Sequence, residues 1–368
     1  MLELMRRWAA SNRRVATIWR TGSFLRYERQ NHVRLPLRDT IRALRLGFLT
    51  RSYALYALRG RDPSEYLSDL ARVRYASFVN AGPLGEIVRN KLWFYLCTQD
   101  IVPCQPRIFG LIAKGRFQRL RLPAGLASPQ GGADGRTVVQ ILQEQGKVIL
   151  KPLCGNQGTG VKLLTASENG YTVNGLAIGE RELARRVARL DRYLVVEYVE
   201  QHAYARAIFP NSVNTLRLAT LWDDEEDEPF LAAAVHRFGT SESAPVDNVA
   251  RGGLVALIDA KTGRLGAAAR VKLRSPTPVF YTDHPETKVA IAGTVVPHWQ
   301  AIKAAALSAA RQVPSVPYVG WDIAVTKTDP GMTFIEGNDG TGINLLQMHE
   351  PLLRSPRVAA FFRHHGVI

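Results

Sequence analysis

Apolar and polar positions along the 368-residue chain change their period near residue 146. Before that point the spacing is helical. Residues 42–56 (RALRLGFLTRSYALY) mix Leu, Phe and Tyr with Arg at intervals that predict a helix. Residues 84–98 predict another, with Leu92, Phe94, Tyr95 and Leu96 around Lys91. A turn at Asp100 and the prolines Pro103 and Pro106 mark extended chain, and the basic, Gly- and Pro-rich residues 114–136 read as loop. From residue 146 short apolar runs take over: KVILKPL, VKLLTA, YLVVEYV, LRLATLWD, PFLAAAVHRFG, GGLVALID and GAAARVKL. Helices are expected near 180–190 and over 297–312, then a hairpin and a C-terminal helix. Strands paired by short turns, with helices between blocks, predict an α+β fold with antiparallel sheets.

Composition bounds the function classes. At 46% apolar and 22% charged residues the chain is globular, neither fibrous nor disordered. No run approaches the roughly 20 apolar residues of a membrane span, and the N-terminus lacks the apolar core of a secretory signal. The expectation is a cytoplasmic protein. Cys97, Cys104 and Cys154 are too few and too scattered for a disulfide framework or a zinc site, and are expected as buried thiols. The net charge of +16 is uneven, with arginine recurring from Arg6 to Arg51. Such a segment attracts anions or forms a solvated helical face.

Two stretches carry chemistry. In Lys151-Pro-Leu-Cys-Gly-Asn-Gln-Gly-Thr-Gly160 a lysine ends one strand, and Gly155, Gly158 and Gly160 precede the next. Glycines let backbone N–H groups approach phosphate oxygens, and the lysine supplies a point charge. The strand–loop–strand context excludes a Walker loop and a Rossmann fingerprint, both of which open a helix. The second stretch is Gly320-Trp-Asp-Ile-Ala-Val-Thr326, a Lys-Thr-Asp-Pro-Gly turn, and Met332-Thr-Phe-Ile-Glu-Gly-Asn338. Pairing Thr326 with Met332 sets Asp322 directly opposite Glu336, with Asn338 on the same face. Opposed carboxylates about 5 Å apart repel unless a cation or proton lies between them. Oxygen donors of this kind suit Mg²⁺. Asp339-Gly-Thr-Gly342 follows and offers N–H groups to an anion.

In their order and spacing these pieces resemble the ATP-grasp superfamily. They are most similar to its sugar-transfer-associated family, relatives of the RimK-type glutamate ligases and D-alanine–D-alanine ligase. The resemblance spans about residues 80–350. It implies two α+β lobes gripping ATP: an N-terminal part of the core over 81–145, a small lobe with a glycine-rich lid over 146–205, and a C-terminal lobe with the metal site over 206–368. Residues 1–80 match nothing in that core and form a basic helical accessory segment.

By the resemblance, Lys91 and Lys151 bind the ATP phosphates, and residues 155–160 form the lid. Glu197, Tyr198 and Val199 form the hinge that recognises adenine. Arg217 and Arg237 face the phosphates or an acyl phosphate, and Asn248, before Gly252-Gly253, lies near the substrate. Asp322, Glu336 and Asn338 form the metal-binding triad for two Mg²⁺ ions. One departure stands out. D-alanine ligases carry an arginine two residues before the metal aspartate, where this chain has Gly320. Arg217, Arg237, Arg270 and Lys272 are the bases available to replace it.

The implied reaction is ATP-dependent joining of a carboxylate to an amine through an acyl phosphate, in cell-envelope or polysaccharide biosynthesis. A phosphotransferase on the same fold is the alternative, and a non-catalytic basic adaptor the third reading. On this view Asp322→Asn and Glu336→Gln each abolish turnover and leave the fold intact. The arginine-rich segment, with Trp8, Trp19, Phe24 and Phe48 among its basic residues, suits the headgroups of an anionic membrane, at the inner face of the bilayer. No nucleic-acid motif is visible. A homodimer, or packing of this segment on the core, is the rival use of the same residues.

Overall fold

The computed structural model describes residues 13–73, 79–80, 84–120, 138–153, 158–168, 170–272 and 275–368. Two seven-stranded sheets organise them, antiparallel throughout, as the strand pattern predicts. The smaller lobe contains β1 (Ile108–Ala113), β2 (Arg116–Arg119), β3 (Lys147–Pro152), β4 (Lys162–Ser167), β5 (Gly170–Val173), β6 (Leu176–Ile178) and β7 (Tyr193–Glu197), in the order β2-β1-β7-β3-β4-β5-β6. The larger lobe contains β8 (Thr215–Asp223), β9 (Glu228–Phe238), β10 (Leu254–Ile258), β11 (Leu265–Lys272), β12 (Ser275–Tyr281), β13 (Tyr318–Val325) and β14 (Met332–Asn338), in the order β12-β11-β10-β9-β8-β13-β14.

Several elements differ from the sequence reading for identifiable reasons. Lys114-Gly115 closes a hairpin between β1 and β2, so part of the stretch read as loop is strand. Asn174 and Gly175 both take positive φ between β5 and β6, the Asn-Gly signature of a tight hairpin. β12 (SPTPVFY) carries two prolines, which the ladder tolerates because this strand lies at the sheet edge. The helix expected over 84–98 is two helices, Gly85–Arg89 and Lys91–Cys97. Asn90 breaks it, its side-chain oxygen accepting from Leu92 N at 3.0 Å and Trp93 N at 3.3 Å as an N-cap. The single helix expected over 42–56 is likewise two, Leu37–Arg45 and Thr50–Leu55. Cys97 is exposed rather than buried, Cys104 is half-buried, and Cys154 lies outside the described residues.

The core sits on both faces of each sheet. In the small lobe, Val148 and Leu150 of β3 pack under the helices Val138–Gln145 and Glu180–Val187, with Ile141, Leu142 and Leu183. The alternate residues Ile149 and Lys151 point to the opposite face, toward the large lobe. In the large lobe one face, with Leu216, Leu218, Trp321, Ile323 and Phe334, packs on the helix Trp299–Arg311. Ala219, Leu221, Val235 and Val255 face the other way. They share a cluster with Phe48, Tyr53, Tyr56 and Leu67 from the N-terminal segment and with Phe361 and Phe362 from the C-terminal helix. Phe24 and Phe48, expected at a membrane interface, are buried instead. Trp8 and the Trp19 side chain lie outside the described residues.

A buried amide fastens this arrangement. Gln347 has no exposed surface, accepts from Leu67 N at 2.7 Å and donates to Leu67 O at 3.1 Å. Leu67 is itself fully buried, so no water can replace those bonds. Each unpaired buried peptide group costs about 1–3 kcal/mol. Gln347→Met is therefore expected to lower stability by about 2–4 kcal/mol, read from urea unfolding. An unchanged midpoint would show that the 37–71 segment is not fastened to the large lobe through this amide.

Candidate active site

Odd-numbered residues of β8 share one face of the large sheet. Leu221 and Ala219 on that face are apolar and covered by the N-terminal segment, and then the composition changes to Arg217 and Thr215. These last two border a cavity of about 210 Å³ between the sheets. Lys91, Lys151, Gly158, Glu197, Val199, Arg217, Arg237, Asn248, Asp322, Glu336 and Asn338 all line it, so the structure brings eleven of the sequence-derived candidates to one place.

Asp322 on β13 stands directly opposite Arg217 on β8. Arg217 forks onto both of its oxygens, through Nε and through Nη2 at 2.9 Å, and Nη1 donates to Thr341 Oγ1 at 2.7 Å. Arg237 Nη2 reaches Asp322 Oδ2 at 3.0 Å, and its Nε lies 3.5 Å from Asp247 Oδ2. Thr215 completes the network, donating from N and Oγ1 to Asp247 Oδ2 at 2.7 and 2.6 Å. The side chains of the two arginines and two aspartates are at most 10% exposed. Burial alone raises the Asp322 carboxyl pKa. The two guanidiniums more than reverse this and hold it at about 2, so Asp322 stays ionised. Burial dominates at Asp247 and moves its pKa upward, against the pull of Arg237.

Asp322 and Glu336 are opposed, as the sequence predicts, but by a different route. The hairpin starts with Val325 opposite Met332, not Thr326 opposite Met332. A register shift between Asp322 and Ile323 leaves Ile335 as an extra residue and restores the Asp322–Glu336 pairing. A bulge of this kind reverses the alternation beyond it. Met332 and Phe334 thus join Trp321 in the core, while Ile335 and Glu336 both reach the cavity. In the unbulged register Glu336 would share the face of Phe334.

Lys91, the first residue of the helix capped by Asn90, puts Nζ 3.4 Å from Glu336 Oε2. Lys151 enters from β3 across the cavity. Burial lowers its pKa from 10.5 to about 8, opposed by Glu336 and reinforced by Lys91. Asn338 lines the cavity and donates to Gly320 O at 3.3 Å. Gly320 explains the missing arginine. A Cβ there would lie 2.5 Å from Thr341 Cβ and 3.1 Å from Arg217 Cδ. The neighbouring strand supplies the guanidinium, and glycine leaves it room.

Apolar side chains also line the cavity: Ile149, Val161, Val196, Val199, Val213 and Val246. Gly158, at φ +66, lies against Val246 so closely that a Cβ would be 2.9 Å from its methyl carbon. Glu197 lines the cavity too, with its peptide N–H donating to Arg107 O at 2.9 Å and its carboxylate accepting from Arg107 N at 3.0 Å.

Other candidates fall elsewhere. The Tyr198 ring carries Lys147 Nζ 5.0 Å from its centroid and does not line the cavity. Gly160 packs against Tyr193 and Pro152. Arg270 pairs with Glu242 at 2.7 Å. Gly155 and the Lys272 side chain lie outside the described residues. Asn248 lines the cavity, but its side-chain oxygen Oδ1 accepts from Ala250 N at 2.8 Å and caps a short helical turn. Sequence reasoning missed Thr215, Asp247 and Thr341. Thr341 stood inside the quoted Asp-Gly-Thr-Gly loop, and Asp247 directly precedes Asn248. Nothing in local sequence joined Asp247 to Arg237, ten residues away, or Thr341 to Arg217, 124 residues away. Among the described residues no three His, Cys, Asp or Glu side chains form a metal-holding group. The triad expected from the sequence consists of two carboxylates, Asp322 and Glu336, and the Asn338 amide, all of which line the cavity.

Several solved structures are similar to this chain at low sequence identity. The ADP complex of N5-carboxyaminoimidazole ribonucleotide synthetase is 10% identical, with a TM-score of 0.37 over 70% of this chain and 46% of that one. D-alanyl-alanine synthetase A of Vibrio cholerae is 11% identical, with a TM-score of 0.41 over 77% and 68% of the two chains. D-alanine–D-alanine ligase of Bacillus anthracis is 10% identical, with a TM-score of 0.39 over 77% and 70%. This chain thus spans less than half of the first of these proteins. No protein of curated function matches the sequence. A family description does match: that of the sugar-transfer associated ATP-grasp proteins fits residues 70–358, most of the chain. The fold is accordingly ATP-grasp, and the chain belongs to the sugar-transfer associated ATP-grasp family.

Proposed function

We propose that the chain is an ATP-dependent ligase that activates a carboxylate as an acyl phosphate and joins it to an amine. The observation that carries this reading is the shared cavity, where Lys91, Lys151, Arg217 and Arg237 converge beside an apolar slot and an ionised Asp322. In this reading the slot takes the nucleobase and the two lysines bind the phosphates. Arg217 and Arg237 spread the charge of a loose phosphoryl-transfer transition state.

The residues present fit a magnesium site through Glu336 and Asn338, because Mg²⁺ takes one or two carboxylates and completes its shell with phosphate oxygens and water. Both Asp322 oxygens are bound by guanidiniums, so a second ion would have to share them. Magnesium bound there supplies neutralisation of the transferring phosphoryl group.

The state of the acids favours a carboxylate acceptor over an alcohol. An alcohol must lose a proton as it attacks phosphorus, and kinases supply an aspartate for it. Here Asp322 is held ionised with both oxygens occupied, Asp247 is buried against Arg237 and Thr215, and Glu336 pairs with Lys91. A substrate carboxylate needs no base. Its oxygen attacks the γ-phosphorus and ADP leaves. The amine nitrogen then bonds to the carbonyl carbon, orthophosphate departs, and the nitrogen gives up its proton. Envelope or polysaccharide precursors are the proposed acids and amines, on the strength of the family's association with sugar transfer. A reaction drawing on ATP assigns the enzyme to the cytoplasm. No helix among the described residues is long and apolar enough to cross a membrane.

Three outcomes test this reading. Mixtures of amino and sugar acids with amines should yield ADP and orthophosphate in equal amounts only when both substrates are present. Hydroxylamine should trap the activated acid as a hydroxamate. A phosphorylated product without orthophosphate would overturn the ligase assignment in favour of a kinase.

Glu336→Gln should abolish turnover, by at least about 10²-fold, with only a small loss of melting temperature, since Glu336 is partly exposed, pairs directly with Lys91 and acts on Lys151 and Arg237 only through its field. Asp322→Asn behaves differently. It leaves two buried guanidiniums facing one remaining carboxylate, which costs about 3–5 kcal/mol of stability. Calorimetric melting of the two variants separates the cases, and the reverse ranking would sink the network described above.

Lys151→Met should weaken binding of a non-hydrolysable ATP analogue by about 10- to 100-fold, the loss of one charged hydrogen bond at about 1.5–3 kcal/mol. The ligand-free variant should melt higher than wild type, since it buries no ammonium. The pH dependence has a definite sign. With a folded pKa of about 8 and an ordinary lysine value of 10.5, the unfolded chain binds more protons between those values. This residue therefore makes stability rise with pH across that window, and nucleotide affinity fall above about pH 8. Identical pH profiles of melting for Lys151→Met and wild type would refute the assignment.

A further inference from the structure

The helix Leu37–Arg45 carries its apolar residues on the wrong side for a structural helix. Ala43 turns inward and is fully buried, while Leu37 and Ile41, one turn apart, are 76% and 43% exposed. Leu46, just past the helix, is also exposed. Together they flank an open groove of about 1110 Å³ whose floor belongs to the core shared by the N-terminal segment and the large lobe. Arg38, Arg42 and Arg45 line the same groove. Among the described residues none of these three guanidiniums has an ion-pair or hydrogen-bond partner. The one acid in the lining, Asp62, is occupied by Ser64 N at 2.9 Å.

We infer that this groove docks the protein on an anionic bilayer surface, with Leu37, Ile41 and Leu46 among the headgroups and Arg38, Arg42 and Arg45 on lipid phosphates. Apolar side chains at one-turn spacing, bordered by unpaired arginines, are the arrangement of a helix lying in a membrane interface. Arginine stems can lie along the apolar stripe while their heads reach phosphate. The charge pattern argues against the other occupants. A second copy in a two-fold dimer would bring the same three arginines face to face with only Asp62 to offset them. Single-stranded RNA binds by stacking bases on exposed aromatic rings, and none of the exposed side chains of the groove is aromatic.

The test uses the full chain and vesicles of neutral phosphatidylcholine, with and without phosphatidylglycerol, at low and high salt. Sedimentation with the anionic vesicles at low salt, lost at high salt and absent with neutral vesicles, is the expected result. The triple variant Arg38→Gln/Arg42→Gln/Arg45→Gln should reduce partitioning by about 100-fold, roughly fivefold per charge. The double variant Leu37→Gln/Ile41→Gln should reduce it by about tenfold through lost apolar burial. All five side chains are exposed, so both variants should melt and bind ATP analogue as wild type does. No binding to anionic vesicles at low salt overturns the proposal, as does binding that both variants retain in full. A dimer dissociated by Leu37→Gln/Ile41→Gln, or RNA binding abolished by the arginine variant without vesicle binding, also overturns it and assigns the groove to that occupant.

Discussion

A carboxylate buried like that of Asp322 cannot stay charged without compensation, and here two guanidiniums from neighbouring strands provide it. Much of the large lobe follows from that requirement. Arg217 must stand opposite Asp322 in register, β9 must bring Arg237 alongside, and residue 320 must lack a side chain so that Arg217 and Thr341 can close over the pair. Asp247 then balances Arg237, and Thr215 ties Asp247 to the start of β8. Removing any one charge strands another in a low-dielectric interior. The network also fixes two positive charges beside the cavity, so little reorganisation is needed when a phosphate arrives.

The two faces of the large sheet divide the work. One face is mostly apolar, with Thr220 and His236 as buried, hydrogen-bonded exceptions, and packs on the helix Trp299–Arg311. The other is apolar only where the N-terminal and C-terminal helices cover it, and charged where the small lobe faces it. The N-terminal segment therefore shields the same strands that carry the site, and Gln347 links it to the helix that follows the Asp339–Gly342 loop. Stability and site geometry thus share elements, which ties the helical segment to the chemistry without giving it a reacting group.

What could be read from the sequence was what neighbours in sequence determine. The α+β class, the antiparallel strands and the alternation that sends Lys151 away from Leu150 all follow from local periodicity. The opposition of Asp322 and Glu336 was reached from a hairpin register one residue off, and the bulge at Ile335, which local sequence does not reveal, restores it. The hidden parts depend on distant partners. Asp247 reads as an ordinary loop acid until β8 places Thr215 and Arg237 beside it. β12, with its two prolines, was not among the predicted runs, because edge position cannot be known from sequence alone. Asn90 is a strong capping residue inside an apolar run, and local reasoning gave the run more weight than the cap.

The bulge at Ile335 has a further consequence, one of parity. Strand residues alternate between two faces, so every position beyond an extra residue takes the opposite assignment. Inserting one residue between Ile335 and Glu336 would alter no hydrophobic pattern near the tip and remove no chemical group from the site. It would nonetheless send Glu336 toward Trp321 and leave the inserted side chain at the cavity. Deleting Ile335 would instead leave Glu336 next after Phe334, still opposite Asp322 on the cavity face. Substitutions in β14 are graded by size and charge, whereas a single insertion there acts as a binary switch between core and cavity. Added length in this strand is thus under tighter constraint than the identity of most residues within it.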